Sequence, residues 1–163
     1  MRTKPLQDLF VKLITEHENL VHKVCNIYAR NHAEREDLKQ EIIYQLWKSF
    51  KSFRGEARIQ TWMYRVALNT ALYYYKRRPP EGIEYSTVQI AENPDLFVVE
   101  EQLKSLYQAI RKLHYLDRAI ILLYLEKKTY RQIGDIMGMT EKNISVRIVR
   151  IKEKLKQTMR KNI

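Results

Sequence analysis

The sequence predicts an all-α protein: two small helical domains joined by a flexible linker, the C-terminal one containing a helix-turn-helix. Three observations carry this. Apolar residues recur with a helical period through most of the chain. No alternating run long enough for a useful strand occurs. Half of the helix breakers, Pro79, Pro80, Gly82 and Pro94, fall in or beside one stretch, leaving the flanking blocks almost free of them. Charge divides the chain at the same places: residues 1–78 carry net +7, residues 79–100 net −5 with no basic residue, and residues 101–163 net +9. The predicted organisation is a helical domain over 1–78, an acidic linker over 79–100 and a second helical domain over 101–163.

The first block reads as three or four helices. Leu6, Leu9, Phe10, Leu13 and Ile14 hold one face, continued by Leu20, Val21, Val24, Ile27 and Tyr28. A polar break over Asn31–Asp37 precedes Leu38, Ile42, Ile43, Leu46 and Phe50. Opposite them Asp37, Gln40, Glu41, Tyr44 and Lys48 form a polar stripe. A short loop around Gly55 then leads to a helix from Ile59 towards Arg78, with Trp62, Met63, Val66, Thr70 and Tyr73 on one side. Thr61, Arg65, Asn69, Leu72 and Lys76 share another side, and Lys76, Arg77 and Arg78 close the helix. Aromatic and basic residues interleaved in this way suit unstacked bases and single-stranded backbone. Core packing alone also accounts for Trp62 and Tyr73, because a helical aromatic usually packs. The linker carries scattered apolar residues without a sustained period and reads as a semi-extended tether.

The second block starts with Leu103, Leu106, Ile110 and Leu113, then Ile120, Leu123 and Tyr124, and two further helices follow. In the run from Thr129 to Ile148, Thr129 is placed to cap a short helix that buries Ile133, Ile136 and Met137. Gly134 permits close approach of a second helix, and Gly138 supplies a left-handed turn. Thr140 caps the next helix, whose buried stripe is Ile144, Ile148, Ile151 and Leu155. Lys142, Asn143, Ser145, Val146, Arg147, Arg150 and Lys154 lie on its other sides, offering groups suited to base edges and phosphates. An αα-hairpin with a solvated basic face is the plainer alternative. The net charge of this block favours DNA.

Composition narrows the function classes. The 163 residues are 30% charged and 45% hydrophobic, ordinary globular values, and the net charge of +11 suits a polyanionic partner. No apolar run approaches the ~20 residues that cross a bilayer, and no signal-peptide pattern opens the chain. A cytoplasmic protein, not membrane-inserted, is expected. Cys25 stands alone on an apolar face, which excludes an internal disulfide and a Cys-rich zinc site and fits a small buried hydrophobe. His17 and His22, five residues apart, do not share a helical face for a metal, and His32 and His114 have no convergent partners in sequence. No metal, cofactor or small-molecule substrate is expected, and no enzyme.

Four segments together resemble the extracytoplasmic-function (ECF) sigma factors of bacterial RNA polymerase, in the sigma-70 family. They are Glu36-Asp-Leu-Lys-Gln-Glu-Ile-Ile, Phe53-Arg-Gly-Glu-Ala, Thr61-Trp-Met-Tyr-Arg-Val-Ala-Leu-Asn69 and Tyr130-Arg-Gln-Ile-Gly-Asp-Ile-Met-Gly, in the family's order. The resemblance runs from Leu6 to Leu155. It implies a subunit that binds core RNA polymerase and directs it to the −35 and −10 elements of promoter DNA, assisting their melting. Asp37, Leu38, Gln40 and Glu41 match the helix that grips the polymerase clamp. The loop Phe53–Gln60, with Phe53, Arg54, Gly55 and Arg58, and then Thr61, Trp62 and Asn69, match the part that opens the −10 element and holds a flipped base. Arg65, Lys76, Arg77 and Arg78 match the basic side that follows the strands. Thr140, Lys142, Asn143, Ser145, Val146, Arg147 and Arg150 match the reader of the −35 element. Ser145 departs from the basic residue common in the family, as does the run Ile144-Ser-Val-Arg, and Tyr73-Tyr-Tyr is an unusually aromatic end to the −10 helix.

The length points to the minimal form without an autoinhibitory N-terminal extension, and the resemblance implies an anti-sigma factor as a further partner. The resemblance also implies that the acidic linker occupies the polymerase's RNA path. The competing reading is a free-standing helix-turn-helix regulator with an N-terminal interaction domain. It leaves the Asp37–Glu41 and Phe53–Asn69 motifs without a purpose.

Overall fold

The structure is a computed structural model that describes residues 3–55, 57–77 and 97–161. Those residues form eight helices and no strand. The first four are α1 (Thr3–Glu16), α2 (Glu18–Tyr28), α3 (His32–Phe50) and α4 (Ile59–Arg77). The last four are α5 (Phe97–Arg111), α6 (Tyr115–Leu125), α7 (Tyr130–Met137) and α8 (Glu141–Lys161).

The polar break expected over Asn31–Asp37 is much shorter than that. Of these residues only Asn31 is non-helical, because its side chain accepts the Glu34 N–H at 2.8 Å and caps α3 from His32 onward. Glu34 in turn takes the Arg30 N–H at 3.0 Å and the Arg30 guanidinium at 2.6 Å, closing the turn between α2 and α3. Polar residues here are a helix start, not a loop. The expected linker lies outside the described residues except for Phe97–Glu100, which already belong to α5. No breaker separates them from Leu103 in the sequence, so nothing delays the helix.

Val24, Cys25 and Ile27 of α2, Leu38, Ile42 and Leu46 of α3, and Met63, Ala67 and Leu68 of α4 are buried together. Phe10 brings α1 onto this group through Trp47 at 5.1 Å and Phe50 at 5.5 Å. In the second group Ile120 and Leu123 of α6, Ile133 of α7, and Ile144, Ile148 and Ile151 of α8 are wholly buried. Cys25 is sealed in the core, and burial pushes its thiol up to about 12.

The two groups of helices share one continuous core, with α2 and α4 packed on α5, α6 and α7. Polar contacts across this junction converge on the C-terminal end of α2. There the last carbonyls of a helix have no donor within the helix. Arg111 Nε donates to Asn26 O at 2.8 Å, and Arg118 Nη1 donates to Ile27 O at 3.0 Å. The Tyr28 hydroxyl donates to Tyr115 O at 2.6 Å. Arg118 also holds its own unit through Nε to Leu113 O at 3.0 Å, and its guanidinium lies 5.1 Å from the Tyr75 ring. Tyr75 stacks on Tyr115 at 5.5 Å, and Lys23 pairs with Glu126 at 2.6 Å. Burial, and after it the charge of Glu126, raises the pKa of Tyr64 on α4.

Candidate nucleic-acid interface

The helix-turn-helix is built by its caps. Thr129 Oγ1 accepts the Gln132 N–H at 3.1 Å while Gln132 Oε1 accepts the Thr129 N–H at 2.9 Å, a reciprocal capping box that starts α7. Gly138 ends α7 with φ +69°, a left-handed conformation that costs glycine nothing. The Met139 N–H then returns to Gly134 O at 2.9 Å. A Cβ on Gly134 would stand 2.5 Å from Met139 O, so the turn folds back over this one residue. Thr140 Oγ1 accepts the Asn143 N–H at 3.2 Å and opens α8.

On α8 the stripe Ile144, Ile148, Ile151 and Leu155 is buried as the spacing requires. Thr140, Lys142, Asn143, Val146 and Arg150 are exposed, and Ser145 is half-buried. Arg147 is not presented outward with them. Its Nη1 lies 3.1 Å from Asp117 Oδ1 on α6, because its position falls on the flank of the helix and not opposite the buried stripe.

The other candidate surface is a groove of about 900 Å³ between α3 and α4. Asp37, Gln40, Glu41, Tyr44 and Gln45 line it from α3, and Asn69, Thr70, Tyr73, Tyr74 and Arg77 from α4. Residues that the sequence assigns to two different tasks, Asp37, Gln40 and Glu41 on one side and Asn69 and Arg77 on the other, thus share one opening. Gln45 Nε2 donates to Glu41 Oε1 at 3.1 Å, and the Arg77 guanidinium lies 4.4 Å over the Tyr73 ring. Tyr44 and Tyr73 are both largely exposed here. Tyr73, a core candidate by pattern, is on the surface. It stands four residues after Asn69 and four before Arg77, a spacing that puts all three on one face.

Two residues lie elsewhere than their motifs suggest. Leu38 is wholly buried in the core, so any grip on a partner falls to its neighbours Asp37, Gln40 and Glu41. Trp62 is buried against Phe53 at 4.9 Å and Phe50 at 6.2 Å, which makes it the floor under the loop and not a contact at its mouth. Above it the loop before α4 exposes Arg54 and Arg58, with Gly55 at φ +76°. Thr61 and Arg65 are half-buried. Lys76 is turned away from the groove, its Nζ 5.5 Å from the Tyr115 ring of α6, and Arg78 lies outside the described residues. Among the described residues no group of three or more His, Cys, Asp and Glu side chains is placed to hold a metal ion.

A helix-turn-helix with a basic outer helix, joined to a helical unit with a mixed polar and aromatic groove, defines a class when set against known families. Residues 13–79 match the family model for sigma-70 region 2, and residues 103–155 match that for sigma-70 region 4. The ECF RNA polymerase sigma-E factor of Haemophilus influenzae is 30% identical over 159 residues, covering 88% of this chain and 84% of that protein. The sigma-E factor of Escherichia coli K12 is 29% identical over 164 residues, with 90% and 84% covered. SigW of Bacillus subtilis is 25% identical over 169 residues, with 94% and 90% covered. The chain belongs to the ECF RNA polymerase sigma factors.

Two solved structures share the fold at a TM-score of 0.70 and 17% identity. One is CnrH in complex with the cytosolic domain of CnrY, aligned over 96% of this chain and 91% of that one. The other is the sigma factor RpoE with the anti-sigma factor NepR from Bartonella quintana, aligned over 94% and 98%. No helix among the described residues is long and apolar enough to cross a membrane.

Proposed function

We propose that this chain binds core RNA polymerase, directs it to two-part promoters and assists their opening, as a cytoplasmic binding subunit with no catalytic step of its own. The domain over 1–78 takes polymerase through Asp37, Gln40 and Glu41 and the −10 element through the loop before α4, Asn69 and Arg77. The domain over 101–163 takes the −35 element through α8. The acidic segment that precedes α5 runs through the polymerase.

The observation that carries the reading is the groove between α3 and α4. It sets the carboxylates of Asp37 and Glu41 beside the exposed amides of Gln40 and Asn69, the exposed rings of Tyr44 and Tyr73, and Arg77. One face so equipped can join a basic protein surface to nucleic acid passing beside it. The complexes of RpoE and CnrH support a further partner, an anti-sigma factor that covers these surfaces.

In vitro transcription from a genomic promoter pool, with core polymerase alone and with this chain added, tests the proposal. New, sequence-defined start sites that require the chain are expected. Unchanged transcription would refute it. An Asn69→Ala variant adds the opening step: it should reduce the open complex on duplex promoters and recover on a template with a pre-melted −10 region.

A further inference from the structure

The outer face of α8 carries two aliphatic residues that a phosphate-binding helix does not need. Val149 is 65% exposed and Val146 is 43% exposed. At about 100° per residue, Lys142, Val146, Val149 and Arg150 fall within about 55° of the point opposite the Ile144, Ile148 and Ile151 stripe, with Glu153 a turn further along. Arg147 falls about 110° from that point, where Asp117, itself only 13% exposed, holds it at 3.1 Å. The outermost surface of the helix is therefore a pair of valines between cationic side chains. Isolated exposed apolar residues are ordinary. A pair at i and i+3 on the outer line of a basic helix-turn-helix is a surface shaped for something.

Charge says what occupies it. Residues 141–161 carry eight basic and two acidic side chains, which suits a polyanion and opposes burial against an ordinary protein core. A helix about 10–12 Å across fits a major groove about 12 Å wide. In that groove the apolar group on display is the C5-methyl of thymine, and aliphatic contact is how such a side chain tells one base pair from another. Side chains three residues apart are about 5–6 Å apart, and bases along a strand about 3.4 Å, so both valines reach the same or adjacent base pairs. We infer that Val149, together with Val146, is a specificity-determining contact that reads thymine in the −35 element through its methyl group. The inference rests on the promoter reading of α8 and adds the base class it prefers.

The test removes the methyl and nothing else. The full chain with core RNA polymerase is used to select duplexes from a library randomised upstream of the start site. Each thymine in the enriched duplex is then replaced singly by deoxyuridine, which keeps every hydrogen-bonding group. At one or two positions the replacement should lower affinity about fourfold, the worth of one buried methyl. Val149→Ala should bind the thymine duplex more weakly by a similar factor and no longer distinguish thymine from deoxyuridine there. Because Val149 is exposed, the variant should melt with the parent. Val149→Thr, which retains one methyl, should keep part of the distinction. An enriched duplex indifferent to every replacement, or a Val149→Ala chain that still discriminates, would overturn the inference and leave the promoter reading standing. A selection that enriches no duplex would overturn both.

Discussion

Replacing Arg118 with Met removes a guanidinium that holds two units at once while keeping much of the apolar bulk. The native side chain is 4% exposed. It donates to Leu113 O and to Ile27 O, each at 3.0 Å, and lies 5.1 Å from the Tyr75 ring. A hydrogen bond from a charged donor is worth about 1.5–3 kcal/mol, and a desolvated cation over an aromatic ring adds up to about 2 kcal/mol. Against this stands the several kcal/mol recovered by no longer burying a charge. The net loss is about 3 kcal/mol, which for a chain of this size lowers the melting temperature by about 6–12 °C. Tyr28→Phe is the companion variant. It removes only the hydroxyl donated to Tyr115 O across the junction, a loss of about 1 kcal/mol, or about 2–4 °C. Far-ultraviolet circular dichroism of the full chain reads both. Arg118→Met melting within about 2 °C of the parent would refute the claim that this residue secures the junction.

Gly134→Ala drives a methyl to 2.5 Å from Met139 O, so it should cost about 1–3 kcal/mol by overpacking and distort the turn that aims α8; thermal melting and duplex binding should fall together. Glu41→Lys reverses a charge on the exposed side of the groove, so core-polymerase pull-down should weaken while the melt stays put; unchanged binding refutes the assignment. The Cys25 thiol stays protonated in the folded chain until about 12, whereas an unfolded thiol ionises from 9.0. The unfolded chain therefore binds fewer protons between those values, and stability falls with rising pH there by about 1.4 kcal/mol per unit. Urea titrations between pH 9.0 and 10.0, below the point where an unfolded tyrosine ionises, should show this slope and Cys25→Ala should remove it; at higher pH, Tyr28 and Tyr64, which burial also holds protonated, add losses of their own in the same direction.

Helix positions were legible wherever one face is apolar, because a 3.6-residue stripe has few other uses. The buried line Ile144, Ile148, Ile151 and Leu155 and the caps Thr129, Gly138 and Thr140 can be read off the letters, since each acts within four residues of itself. What spacing leaves open is whatever depends on a neighbouring element. Arg147 reads as outward until α6 supplies Asp117. Leu38 sits in a functional motif yet is wholly buried in the core, and Lys76 turns toward α6 while Arg77, one residue on, stays over Tyr73. The groove was half legible. Its α3 side follows from the polar stripe, but that Asn69 and Tyr73 face that stripe depends on how α4 crosses α3, which no local pattern records.

The end of α2 has a consequence for how this chain can be taken apart. Its final carbonyls are served by Arg111 and Arg118, more than eighty positions further along, so the helix borrows its terminus from the other half of the molecule. A fragment ending at 77 would hand Asn26 and Ile27 to water and strip Tyr28 of the carbonyl its hydroxyl now meets. Hydrogen exchange in such a fragment should quicken first at the amides of Val24 to Ala29. A measurement made on the isolated half therefore describes a looser object than the one the whole chain contains.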